Sequence, residues 1–191
     1  HIDLKEVKMS ETYIISDTHF GHGNSLTFKK ADGSPLRDFS SAEEMDEHMI
    51  KCWNSVVRPE DKVIHLGDVV INKKFLPVLN RLNGKKKLVM GNHDIFPTAT
   101  MLQYFYDVKA YRVFDKHVFS HIPVHTESIG RFKANVHGHL HSNTVKVITD
   151  QTNVVDDPYY ICMCVEQPHV NYTPMPWYRV KEILSSRGIY E

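Results

Sequence analysis

Five short blocks of aspartate, asparagine and histidine constrain this chain most: Asp17-Thr18-His19, Gly67-Asp68, Gly91-Asn92-His93-Asp94, His121 and Gly138-His139-Leu140-His141. Each follows an apolar run that reads as a strand: Tyr13-Ile14-Ile15, Val63 to Leu66, Leu88 to Met90, His117 to Ser120 and Ala134 to Val136. In α/β sheets the ligand crevice lies beyond the carboxyl ends of the strands, so loops at five strand ends can converge on one site. In an extended Asp17-x-His19 both side chains point to the same side, and the same holds for His139 and His141. Gly67, Gly91 and Gly138 stand where the backbone must turn sharply and leave room for a neighbour.

The chemistry of the set is coherent. Asp and Asn offer hard oxygen, His offers imidazole nitrogen, and no Cys takes part. That mixture suits Mn, Fe, Zn, Ni or Co better than Ca or a thiolate site. Six to eight such groups are too many for one ion and suit two divalent ions, the usual clamp on a phosphate ester.

Bulk properties narrow the field. With 23 basic and 23 acidic side chains the formal charge is zero, which argues against an extended nucleic-acid surface or an anionic membrane as partner. A small phosphorylated substrate, a nucleotide among the candidates, is compatible with it. No apolar run approaches the roughly 18–20 residues of a membrane span. The three cysteines, Cys52, Cys162 and Cys164, are too few and odd in number for a disulfide framework. They fit a reducing, cytoplasmic setting, with Cys162 and Cys164 packed on one face of a strand. The length of 191 residues fits one domain. The chain opens with His1 rather than Met. Residues 1–8 are expected to be foreign to the native protein or disordered, with residues 9–191 forming the domain.

Between the blocks, Ser40 and Glu43 are spaced as a capping box. Met45, Met49, Cys52, Trp53 and Val56 then mark one face of a helix that ends before Pro59. Phe75, Leu76, Leu79 and Leu82 suggest another helix, with Pro77 confined to its first turn. After residue 105 strands dominate: 108–114, 117–120, 134–136, 144–149 and 159–165, followed by a last helix over 178–187. The segments 94–116 and 122–133 are too short to build a cap over the site. These patterns predict an α/β core with mixed pairing, two sheets packed together and flanked by helices.

The five blocks, in this order and without substitution, resemble the calcineurin-like metallophosphoesterases: D-x-H, G-D, G-N-H-[D/E], H and G-H-x-H. The match covers residues 13 to 141. The Ser16 to His22 opening and the short length look like the small, cap-less bacterial and phage members. The resemblance implies a four-layer αββα sandwich of two mixed β-sheets flanked by helices. It implies that Asp17, His19 and His141 hold one metal and Asn92, His121 and His139 the other, with Asp68 between them. Two divalent transition metal ions follow, Mn2+ first among them. A hydroxide held between them would attack phosphorus. His93 would face the scissile phosphate and protonate the leaving oxygen, and Asp94 would orient His93.

Candidate substrate contacts are His22, Asn24 and Arg37 in the loop after the first block, and His125 beyond Pro123. Arg37 is favoured because its fork binds two phosphate oxygens. His65 and His137 read as core or supporting residues, and Lys85-Lys86-Lys87 as a solvated strand end. The implied function is hydrolysis of phosphate esters, diesters of nucleotide-like small molecules before others. A phosphomonoesterase and a non-catalytic binding scaffold on the same fold are the alternatives.

Overall fold

A computed structural model describes residues 9–150 and 152–190. The reading of residues 1–8 as a foreign or disordered leader lies outside the described residues. Among the described residues, eleven strands form two main sheets and a ribbon. The first sheet has the order β11-β1-β2-β3-β4, from β1 (Thr12–Ile15), β2 (Lys62–His65), β3 (Lys85–Val89), β4 (Asp107–Lys109) and β11 (Met175–Pro176). Strands β1 to β4 are parallel, and β11 is antiparallel to β1. The second sheet has the order β10-β7-β6-β5, from β5 (Tyr111–Phe114), β6 (His117–Ser120), β7 (Asn135–His137) and β10 (Tyr160–Cys162). Here β6, β7 and β10 are parallel and β5 is antiparallel to β6. The ribbon pairs β8 (Lys146–Ile148) with β9 (Val154–Asp156). The mixed α/β class and the two mixed sheets are as the sequence predicts.

Parallel strands buried on both faces need apolar side chains throughout. Ile14, Ile15, Val63, Ile64, Leu88 and Val89 supply them. Helix α1 (Ala42–Val56) buries Met45, Met49, Ile50 and Trp53, close to the expected face. Its cap lies one residue later than predicted. Ser41 Oγ accepts from Glu44 N–H at 3.1 Å, and Glu44 Oε2 accepts from Ser40 N–H at 2.7 Å. The segment Lys73–Arg81 is a 3-10 helix rather than an α-helix, and Pro77 sits inside it. Proline has no N–H to give, so the tighter winding accommodates an interior that an α-helix would reject.

The second half departs from the expected strands in two ways. The run 108–114 breaks at Ala110, so β4 closes the first sheet while β5 opens the second. Two short helices also appear there, α2 (Thr98–Met101) and α3 (Thr126–Ile129). Neither is long enough to show helical periodicity. The last helix, α4 (Trp177–Ser186), lies where it was predicted. Among the described residues no helix is long and apolar enough to cross a membrane.

Trp53 ties α1 to this core: it is 1% exposed and its Nε1–H donates to Asn83 O at 2.9 Å. Trp53→Ala is expected to cost about 3–5 kcal/mol, against about 1 kcal/mol for loss of the Ser41 cap in Ser41→Ala. Urea-unfolding midpoints of the two variants measure the difference.

Candidate metal centre

The carboxyl ends of β1, β2, β3, β6 and β7 face one edge of the sheets, and the five blocks follow them directly. Two groups of donor atoms result, each close enough to share one ion: Asp17, His19 and His141, and Asp68, His121 and His139. The backbone there is not extended, as the sequence spacing suggested. Asp17, His19, Asp68, His139 and His141 all adopt left-handed φ values, between 47° and 69°. The Cβ of an L-residue crowds the following carbonyl oxygen here at a cost of roughly 1–2 kcal/mol per residue, and such strain collects at functional sites. It turns each side chain off the strand end and into the cleft. Glycine is required where these loops meet: a Cβ at Gly91 would strike the Asp68 carboxylate, and one at Gly138 would strike Ser16 Oγ and the Asp17 carboxylate.

The two central carboxylates divide their oxygens in the same manner. Asp17 Oδ2 accepts from Ser16 Oγ (2.5 Å), His139 N–H (2.9 Å) and the Cys164 thiol (3.1 Å). Asp17 Oδ1 is buried without a partner and lies 3.7 Å from His19 Nε2 and 3.9 Å from His141 Nε2. Asp68 Oδ1 accepts from His93 N–H at 2.9 Å, while Oδ2 lies 3.7 Å from His19 Nε2 and 3.4 Å from His121 Nε2. Both ring nitrogens of His19 are likewise buried and unpartnered. Buried polar atoms left without partners are rare, and here they point at one another. Donors each about 2.0–2.2 Å from one ion are separated by roughly 3–3.5 Å, so the set fits divalent metal.

The imidazoles are held for this task. His121 Nδ1 is paired with Leu66 O at 2.8 Å, which turns Nε2 toward Asp68 and toward Asn92 Oδ1 at 2.9 Å. His139 Nδ1 lies 3.3 Å from His121 Nε2. His141 Nδ1 is paired with Glu166 Oε1 at 3.0 Å, leaving Nε2 for the cleft. A carboxylate or carbonyl on the far nitrogen is the usual support of a metal-binding histidine. Burial raises the Asp17 carboxyl, but His19, His121 and His141 outweigh it and hold Asp17 well below the usual carboxylate range. Burial lowers His121, yet Asp68, Asp17 and the Leu66 carbonyl lift it to about 9. The cluster thus draws positive charge to the point where an ion fits. Burial, aided by His121 and His19 and opposed by Asp17 and Asp68, drives His65 down to about 3. Its Nε2 meets Thr18 Oγ1 and its Nδ1 accepts from Gly67 N–H, so it is a supporting core residue.

Two expected roles change, those of Arg37 and Asp94. Arg37 is 1% exposed, with Nε on Glu166 Oε1 (2.7 Å) and its terminal nitrogens on Thr18 O (2.8 Å) and Asp17 O (2.5 Å). It braces the first block from behind and is not a substrate contact, because its donors are spent inside the protein. Asp94 does not orient His93. Its buried carboxylate accepts from Asp68 N–H (2.8 Å), Gly91 N–H (2.8 Å) and Val69 N–H (3.1 Å), which locks two loops together. His125 caps α3, with Nδ1 accepting from Glu127 N–H at 3.2 Å. Lys86 Nζ bonds Leu82 O and Gly84 O at the opposite end of β3 from the cluster. His93 faces the cleft with its side chain 50% exposed, 4.0 Å from Asp68 Oδ2. His22 stands with its ring centroid 5.9 Å from that of His19. Asn24 is exposed on the 3-10 turn Gly23–Thr27. The sequence reading leaves out Glu166 and gives Cys164 only a packing role: both lie in the tail, and only folding brings them to His141 and Asp17.

Comparison with known proteins agrees with this geometry. A sequence model of the calcineurin-like phosphoesterases matches residues 11–187. An uncharacterized protein of Methanocaldococcus jannaschii is 33% identical over 146 residues, covering 72% of this chain and 73% of that protein. The gene 66 protein of Mycobacterium phage L5 is 35% identical over 91 residues, 45% of this chain and 41% of its own. The crystal structure of a protein of unknown function from Aquifex aeolicus has the same fold, with a TM-score of 0.68 over 92% of this chain and 100% of that one at 23% identity.

After reconstitution with Mn2+, elemental analysis is expected to approach two ions per chain, and Asp68→Ala to lower that content most among single changes. A saturating value near one ion, or full loading of Asp68→Ala, contradicts the shared-carboxylate arrangement. Asp94→Asn, which turns an amide against backbone N–H groups, is expected to weaken metal retention without touching a donor atom; dialysis against a chelator reads the loss.

Proposed function

The chain belongs to the calcineurin-like phosphoesterase family, and from that premise we propose that it hydrolyses phosphodiesters of nucleotide-like small molecules at a dinuclear metal centre. The observation that carries the reading is Asp68, whose Oδ2 faces both donor groups, 3.7 Å from His19 Nε2 and 3.4 Å from His121 Nε2. Asp17, His19 and His141 would hold one ion, Asn92, His121 and His139 the second, and Asp68 both. Manganese leads among the metals this oxygen and nitrogen set accepts. Two bound ions supply Lewis-acid charge to the phosphoryl oxygens and an activated water at neutral pH.

The remaining work falls to the chain. Leu66 O and Glu166 orient the rings of His121 and His141. The His93 backbone is anchored on Asp68 Oδ1, so its ring stands beside the centre, free to donate a proton to the departing oxygen or to stabilise its charge. His22 lies beside His19 and is proposed to contact the phosphate. Two features favour diesters. The segments 94–116 and 122–133 carry one four-residue helix each, α2 and α3, too little to form a separate cap, which favours a cleft open to a group on each side of phosphorus. Arg37, the side chain best suited to select a dianionic monoester, is enclosed in the protein.

The Mn2+-loaded protein is expected to cleave bis(p-nitrophenyl) phosphate with higher kcat/KM than p-nitrophenyl phosphate; a tenfold preference the other way would make it a monoesterase. His93→Ala is expected to keep its metal and to lose roughly 10²–10⁴-fold in turnover. The loss should be larger for nucleotide esters, whose alkoxide needs a proton, than for nitrophenyl esters. Equal losses on both would assign His93 to charge stabilisation, and loss of an ion would make it a ligand.

A further inference from the structure

The outer face of the second sheet is thinly covered. Tyr111 and Val113 on β5 stand opposite Ser120 and Val118 on β6 and turn to the same side. They remain 63% and 49% exposed, because the four-residue α3 is too short to lie across them. Between this face and the segment after α3 lies a cavity of about 700 Å³, within the range of small-molecule sites, roughly 300–1,000 Å³. Ile122, Val124 and Phe132 complete its apolar walls, and Gly91, Asn92 and His121 also line it. The cavity therefore shares two walls with the donor cluster: the residues that face the second candidate ion also floor the apolar pocket.

The charge of the pocket is one-sided. Among the described residues that line it there is no carboxylate, and Arg131 is its one fixed cation. The Arg131 guanidinium lies over the Phe132 ring, 5.4 Å from the centroid, which presents a flat, weakly hydrated surface to a second flat group. Neutral or anionic planar groups suit such a pocket, and a cationic group does not.

We infer that this cavity binds the planar organic substituent of the substrate, an aryl or nucleobase-sized ring carried by the phosphate ester. The inference rests on the diesterase reading and extends it. With phosphorus at the Asp68 carboxylate, a substituent that passes Asn92 and His121 enters the pocket between Tyr111 and Phe132. The pocket would set preference among diesters by burying the ring, while the donor cluster treats all phosphates alike. A second copy of this chain is the other occupant an apolar sheet face can take, and the test separates the two.

Methyl phenylphosphonate and methyl methylphosphonate are monoanionic analogues of a diester that differ only in the ring. Bound to the Zn2+-loaded protein, the phenyl analogue is expected to hold about tenfold tighter or better, and to shift the methyl resonances of Val113 and Ile122. Tyr111→Ala and Val113→Asp change exposed side chains outside the donor cluster. They are expected to remove the preference for the phenyl analogue and to leave the methyl analogue within about twofold. Equal affinities in the parent protein, or a preference that survives both variants, overturns the inference. A fall in sedimenting mass in the variants with the ring preference intact makes the face a contact between copies and overturns it as well. Should the metal-loaded protein cleave no ester at all, the diesterase reading falls, while the methyl shifts and affinities still decide what the pocket binds.

Discussion

The buried carboxylate of Asp94 holds the two central loops of the cleft as one piece. It takes N–H groups from Asp68 and Val69 after β2 and from Gly91 after β3. Leaving a buried donor without an acceptor costs about 1–3 kcal/mol, and three depend on this one side chain. The strained backbone at Asp68, with φ of 55°, persists because its surroundings fix it in that shape. The position of the carboxylate that faces both donor groups is therefore decided by a residue that contributes no donor atom to either.

A similar brace stands behind the first group. Arg37 gathers the carbonyls of Asp17 and Thr18, and it shares Glu166 Oε1 with His141. One buried ion pair thus fixes the backbone of the first block and the ring angle of the last. Removing one member of such a pair leaves an uncompensated buried charge, which is more damaging than never having built it. The arrangement explains how side chains from distant loops keep a common aim. The far atoms of Asp17, Asp68, His121 and His141 are bonded to fixed partners, which leaves their other polar atoms to the cleft.

Most of the candidate site was legible in the sequence because its donors sit in short blocks at strand ends, which the topology brings to one edge. What the sequence did not reveal lies where function depends on contact rather than on composition. Asp94 adjoins His93 in the chain, so orienting that ring was the natural reading, yet its carboxylate turns the other way to bond amides 25 and 26 residues upstream. Arg37 reads as an exposed phosphate fork until its partner Glu166 is known, and that partner is 129 residues away. The break at Ala110 between two sheets carries no turn residue to announce it. The left-handed backbone at Asp17, His19, His139 and His141 also has no sequence mark, since glycine is the usual residue there.

The order of these elements along the chain bears on how the protein assembles. The bond from His139 N–H to Asp17 Oδ2 joins residues 122 apart, and the Cys164 thiol reaches the same oxygen across 147. Interactions of such wide separation form late, because loop-closure entropy is lost before they offer any return. A chain released from the ribosome, or refolding from denaturant, can complete β1 to β4 while His141, one of the three members of the first donor group, is still unplaced. Ion capture at that group would then have to await the second sheet, whose strand β7 leads into His141.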